Sequence, residues 1–147
     1  MEHIACIEDA GERRRIAREV LLALPEWFGI PESTEEYIAE SGGQPFWAAL
    51  GPDGRAAGFI ALKATSEHTC EVAVMGVLRP RQGRGLGREL AGQLLRSLGA
   101  AGFARAGLAW AGENPVPGRF WPSLGFAPVG ERGTAGGYRL ITAYRAL

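Results

Sequence analysis

The sequence predicts an α+β domain in which short strands and amphipathic helices follow one another without a linker. Three observations carry that expectation. A Pro-Asp-Gly turn, "GPDG" at 51–54, separates two runs of β-forming residues and marks a hairpin. The run "TCEVAVMGVL", Thr69 to Leu78, is rich in valine and strand-like. Beyond it, Leu86, Leu90, Leu94, Leu95 and Leu98 fall on one stripe at helical spacing. With 147 residues the chain fits a single domain over 1–147, large enough to bury a core without disulfide or metal staples.

Taken in order, "HIACIE" reads as a first strand. "AGERRRIAREVLLALPEWF" reads as a helix with Ile16, Val20, Leu21 and Leu24 on its apolar face, ended by Pro25. Its charges, Arg13 to Arg15, Arg18 and Glu19, belong to a solvated face. "IPESTEEYIAES" offers a second helix, with Pro31 near its start and Gly42-Gly43 closing it. The hairpin follows, then "SEH" as a turn into the valine-rich strand, then a helix from roughly Gly85 to Ala100. "ARAGLAWA" is a further strand. In "ENPVPGRFWPSLGF", Asn114 suits an N-cap and Pro115 the first helical position, while Pro122 is expected to end or kink the helix early. "FAPVGE" and "GYRLITAYRAL" close the chain as a pair of strands.

Bulk properties narrow the function. Apolar residues make up 46% and charged ones 22%, and 16 basic residues balance 16 acidic ones. Zero net charge argues against a nucleic-acid partner held by bulk electrostatics. Cys6 and Cys70 fit no metal-ligand spacing and read as buried free thiols of a reducing compartment. His3 and His68 are lone and read as surface residues. No run approaches the roughly 20 apolar residues of a membrane span, and the N-terminus lacks a long apolar stretch. A cytoplasmic protein without metal or membrane partner is the expectation.

The stretch "GVLRPRQGRGLGREL" places Gly83, Gly85 and Gly87 at alternate positions where a strand hands over to a helix. Glycine weakens helices, so three at a helix mouth need a reason. Free first-turn amides and the helix dipole favour an anion there, and glycines let its oxygens come close. Arg84 and Arg88 add charge. A tight connection that binds nothing is the other reading. A P-loop would need a Lys-Ser or Lys-Thr after the glycines, and the dinucleotide fingerprint has its glycines as GxGxxG after an early strand; here the order is GxGxG after the fourth strand.

Gln82-Gly83-Arg84-Gly85-Leu86-Gly87 has the Q/R-x-x-G-x-G/A form and resembles the acyl-CoA pyrophosphate loop of the GNAT N-acetyltransferase superfamily. "EVAVMGVLRP" before it is similar to that family's fourth strand, and "ENPVPGRFWPSLGF" to its C-terminal signature. The order strand-helix-helix, three strands, helix, strand, helix, two strands also agrees. The resemblance implies a central mixed, mostly antiparallel sheet flanked by helices, with the fourth and fifth strands splayed around the pantetheine arm.

It also implies transfer of acetyl from acetyl-CoA, as co-substrate, to an amine by direct attack. On that basis Met75, Gly76 and Val77 lie along the pantetheine, the Val77 amide serving as an oxyanion donor to the thioester carbonyl. The segment Gln82, Gly83, Arg84, Gly85, Leu86, Gly87 and Arg88 would hold the pyrophosphate, with Asn114 near the pantetheine. Glu71, eleven positions before Gln82, takes the place where many members carry a general base; it shares a strand face with Ala73, Met75 and Val77.

Two departures stand out. The family's usual acid is a tyrosine, and Trp121 occupies its position; an indole donates a hydrogen bond but cannot supply a proton. Trp121 is then expected to pack against the cofactor or shape the acceptor pocket. The thiolate leaves unprotonated, or water, Ser123, Tyr138 or Tyr144 serves instead. Pro117 stands where the signature has alanine.

The acceptor is expected near "LPEWFGIPESTEEY", with Trp27 and Phe28 beside Glu26, Glu32, Glu35 and Glu36. Aromatics and carboxylates suit a cationic amine; a hydrophobic staple with glutamates placed in the first turn of a helix is the alternative. Two functions therefore stand: an N-acetyltransferase acting on a small-molecule or peptide amine, and a non-catalytic acyl-CoA-binding regulatory module of the same fold. A homodimer is a possible assembly, since dimers are common in that family.

Overall fold

A computed structural model describes residues 2–147. These divide into two compact units, residues 2–63 with 72–97, and residues 64–71 with 98–147.

The first unit begins with β1 (His3–Cys6) and α1 (Ala10–Leu22). Asp9 caps α1: its carboxylate accepts from the Glu12 amide at 2.8 Å, satisfying one of the donors a helix leaves free. Ile16, Val20 and Leu21 are buried, as their spacing predicts, with Ala17 beside them; Leu24, expected on the same helical face, is buried just beyond the helix end. The helix ends at Leu22, before Pro25: Ala23 N–H bonds the Val20 carbonyl at 3.2 Å and Leu24 N–H that of Leu21 at 3.1 Å, a tightened final turn. In α2 (Pro31–Ser41), Pro31 takes a first-turn position where no amide is missed.

β2 (Phe46–Leu50) pairs antiparallel with β1 and with β3 (Ala56–Ala64). The hairpin forms at the Pro-Asp-Gly turn, closed by Gly51 N–H to the Arg55 carbonyl at 2.9 Å. Phe46 and Phe59 stack at 4.9 Å and, with α1, Ile38 and Val74, form the core of this unit. β4 (Thr69–Val77) leads into a 3₁₀ turn at Arg79–Arg81 and then α3 (Leu86–Ala100).

In the second unit the opening residues of β4 pair parallel with β5 (Arg105–Ala111): Thr69 with Arg105, Cys70 with Ala106, Glu71 with Gly107. The parallel ladder runs through these three pairs. β5 pairs antiparallel with β7 (Arg139–Ala146), and β7 with β6 (Ala127–Gly133). The sheet is thus mixed and mostly antiparallel, as predicted. Helix α4 (Pro115–Ser123) starts at the expected cap, Asn114 Oδ1 accepting from Val116 N–H at 3.1 Å. Trp110, Trp121 and Phe126 are buried in this unit.

Two expectations need correction. Pro122 lies inside α4, which runs on to Ser123. Proline breaks a helix through its ring and its missing N–H, and in an exposed last turn water can serve the carbonyl left without a donor. Both cysteines are free, but only Cys70 is buried; Cys6 is exposed at the end of β1. His3 and His68 are exposed, as expected.

Candidate active site

The glycine turn lies wholly in the first unit. Gly83 and Gly85 hold φ of +75° and +84°, a left-handed conformation that L side chains rarely adopt. A Cβ at either would meet nothing within 4 Å, so the backbone conformation, not crowding, requires glycine. The first helical bond runs from Glu89 N–H to the Gly85 carbonyl at 3.0 Å. The amides of Leu86, Gly87 and Arg88 therefore precede any i–4 partner within α3. Gly83, Arg84 and Arg88 are exposed around them.

Charge at the turn is partly spent within the protein. Arg79 Nε donates to Glu26 Oε1 at 3.1 Å, and a second bond joins the same two side chains. Arg81 pairs with Glu2 at 3.1 Å. Among the described residues, Arg84 has no carboxylate within 4 Å. Gln82 turns its side chain back, Nε2 donating to the Val77 carbonyl at 2.8 Å, and so ties the end of β4 to the turn. Gly76 is buried, and a Cβ there would lie 2.9 Å from Val20 Cγ1; it is glycine because α1 packs on it. Met75 and Val77, on the opposite strand face, are half-buried.

Glu71 lies in the second unit, half-buried, at the last rung of the β4–β5 ladder. Its neighbour Gly107 also pairs with Tyr144, so Glu71, Gly107 and Tyr144 form one row across three strands. A Cβ on Gly107 would stand 2.7 Å from Tyr144 Cε1 and 3.4 Å from Glu71 Cγ. Glycine at 107 is what lets the tyrosine ring lie across β5 beside the glutamate stem. Two rungs along, Arg105 Nε donates to Thr69 Oγ1 at 2.8 Å, and its guanidinium carbon sits 4.3 Å from the centre of the Tyr144 ring.

Trp121 is buried, edge-on to Phe126 at 5.3 Å and to Phe120 at 4.8 Å, which gives the indole a packing role within its own unit. The Asn114 side chain is engaged in capping α4. Of the hydroxyls considered as acids, Ser123 is exposed on α4 and donates to the Phe120 carbonyl at 2.5 Å, and Tyr138 is exposed; Tyr144 alone of the three shares the row of Glu71. The Arg105–Tyr144 stack lay beyond sequence reasoning, because it joins strands separated by α4 and a hairpin.

In the α1–α2 connection, Phe28 packs edge-on against Tyr37 at 6.1 Å, and Thr34 Oγ1 donates to the Phe28 carbonyl at 3.1 Å. Glu26 is held by Arg79, and Glu35 by Arg18 at 2.8 Å. These contacts tie the aromatic and carboxylate side chains of the connection to their own unit. A cavity of about 450 Å³ on the α1–α2 surface is lined by Arg14, Arg15, Arg18, Glu35 and Ile38. Arg15 bonds Glu12 and Glu19, and Arg18 bonds Glu35, so most of its positive charge is already paired. Among the described residues no group of three or more His, Cys, Asp or Glu could hold a metal ion, and no helix is long and apolar enough to cross a membrane.

A family profile described as the acetyltransferase (GNAT) family matches residues 12–126. The chain belongs to the GNAT acetyltransferase family. No curated protein matches this GNAT chain in sequence. Its fold matches many solved structures. The ribosomal-protein-S18-alanine N-acetyltransferase of Escherichia coli superposes with a TM-score of 0.82 at 20% identity, over 99% of this chain and 94% of that one. A GNAT family acetyltransferase of Elizabethkingia anophelis, solved with acetyl-CoA bound, gives 0.79 at 14% identity, over 99% and 98%. A GCN5-related N-acetyltransferase of Kribbella flavida gives 0.74 at 23% identity, over 99% and 98%.

Proposed function

We propose that the protein, acting as one domain over residues 1–147, is an N-acetyltransferase that moves acetyl from acetyl-CoA to a primary amine. The observation that carries this is the glycine turn. In a GNAT chain, two glycines held at positive φ directly before the first turn of α3 suit the pyrophosphate of a coenzyme A thioester. Gln82 through Arg88 would cradle it. Met75, Gly76 and Val77 would run beside the pantetheine, with the Val77 amide as oxyanion donor and the Gln82 bond holding that strand end in place.

Glu71 is the group we assign as base. It accepts the amine proton, directly or through water, as the amine nitrogen bonds the thioester carbonyl carbon. The tetrahedral intermediate then collapses, the carbon–sulfur bond breaks, and CoA leaves as a thiolate that takes a proton from Tyr144 or from water. The burial of Trp121 supports a packing role and removes it from proton transfer.

The test is release of CoA thiol from acetyl-CoA by purified protein across amino acids, peptides, polyamines and aminoglycosides. Amine-dependent release supports the transferase. Tight acetyl-CoA binding with no release by any amine would favour the regulatory module instead.

A further inference from the structure

Building on the transferase reading, we propose that Arg105 forms an anion-binding subsite beside Glu71 and that the acceptor is a primary amine bearing a carboxylate.

Arg105 stands on the same sheet face as Glu71, two rungs along the ladder. Its guanidinium is held on two sides. Nε is committed to the hydroxyl of Thr69, a residue only 4% exposed, and one face of the plane lies on the Tyr144 ring. Those contacts leave the terminal amino groups, the paired donors that match the two oxygens of a carboxylate. Among the described residues no carboxylate lies within 4 Å of Arg105, whereas Arg15, Arg18, Arg79, Arg81 and Arg139 each have one. An arginine fixed before its ligand arrives loses little further side-chain freedom on binding.

The row gives the ligand its shape. Gly107 leaves room for the Tyr144 ring, which stacks on the guanidinium and shares the row of Glu71. An amino acid laid along this face would put its amine at Glu71, its stem over the tyrosine ring and its carboxylate at Arg105. The guanidinium would also repel a neighbouring ammonium. That favours the neutral, attacking form of the amine and works against polyamines and aminoglycosides.

The experiment compares free amino acids with their carboxamides, and with polyamines, in the CoA-release assay, using wild type, Arg105→Gln and Arg105→Lys. Arg105 is exposed, and a melting curve for each variant checks that it folds. Wild type is expected to prefer the carboxylate form. Arg105→Gln should raise KM for it about tenfold or more, with kcat and the carboxamide little changed. Arg105→Lys, keeping charge but not the fork, should fall between. Equal use of acid and amide by wild type, or a polyamine as best acceptor, overturns the subsite while leaving the transferase standing. Absence of release with any amine would instead remove the transferase reading. Calorimetric titration with amino acids would then decide the subsite alone: binding lost in Arg105→Gln sustains it, and no binding to wild type overturns it.

Discussion

Replacing Gly85 with alanine separates the conformational role of the glycine turn from its binding role. Gly85 holds φ +84°, and a Cβ there would touch nothing within 4 Å, so the penalty is backbone strain alone. The left-handed conformation costs an L residue about 1–2 kcal/mol. The stiffer unfolded chain returns about 0.4–1 kcal/mol. The net loss is about 1 kcal/mol, or roughly 2–4 °C in Tm for a chain of this size. Gly99, in α3, also has open space for a Cβ but no positive φ, and Gly99→Ala should stabilise the protein by about 0.5–1 kcal/mol. Thermal melts give the stabilities and calorimetric titration gives the affinity for CoA. If the turn holds the pyrophosphate, strain redirects its amides, and Gly85→Ala weakens CoA about tenfold while Gly99→Ala leaves it unchanged. A Gly85→Ala protein that melts lower as expected yet binds CoA like wild type would refute the anion-site reasoning.

Phe59 is fully buried and stacked on Phe46, so Phe59→Ala should cost about 3–5 kcal/mol in denaturant unfolding. Trp121→Phe keeps the edge-on packing but removes the indole N–H; kcat should stay within about twofold while Tm falls, and a large drop in kcat would return a chemical role to position 121. The Arg18 guanidinium holds the Glu35 carboxyl below its ordinary 4.5, first by hydrogen bonding. A lowered folded-state pKa stabilises above the unfolded value and loses that contribution as pH falls through the folded one. Glu35→Gln should therefore lower Tm slightly at neutral pH, less in high salt, and the gap should close well below pH 4.5. Melts across pH measure it directly.

What was legible in the sequence is what local chemistry decides. The apolar spacing of α1, the Asn114 cap, the Pro-Asp-Gly hairpin and the limits of β4 all depend on residues close in the chain. The glycine turn was legible for the same reason: a positive φ leaves its mark on the residue that adopts it. Less was visible where distant segments meet. The Arg79–Glu26 pair spans 53 positions, and neither segment announces the other. The Arg105–Thr69 bond spans 36 positions and left no mark on either segment. The exposure of Cys6 follows from the edge position of β1, which no residue of β1 announces.

The most direct test of the central claim is the single-turnover rate of acetyl transfer to the best amine in wild type and Glu71→Gln, with acetyl-CoA affinity measured on both. Removal of a base that acts in the transition state should lower the rate by about a hundredfold or more while leaving affinity unchanged. An unchanged rate in Glu71→Gln would contradict the assignment of Glu71 as the base.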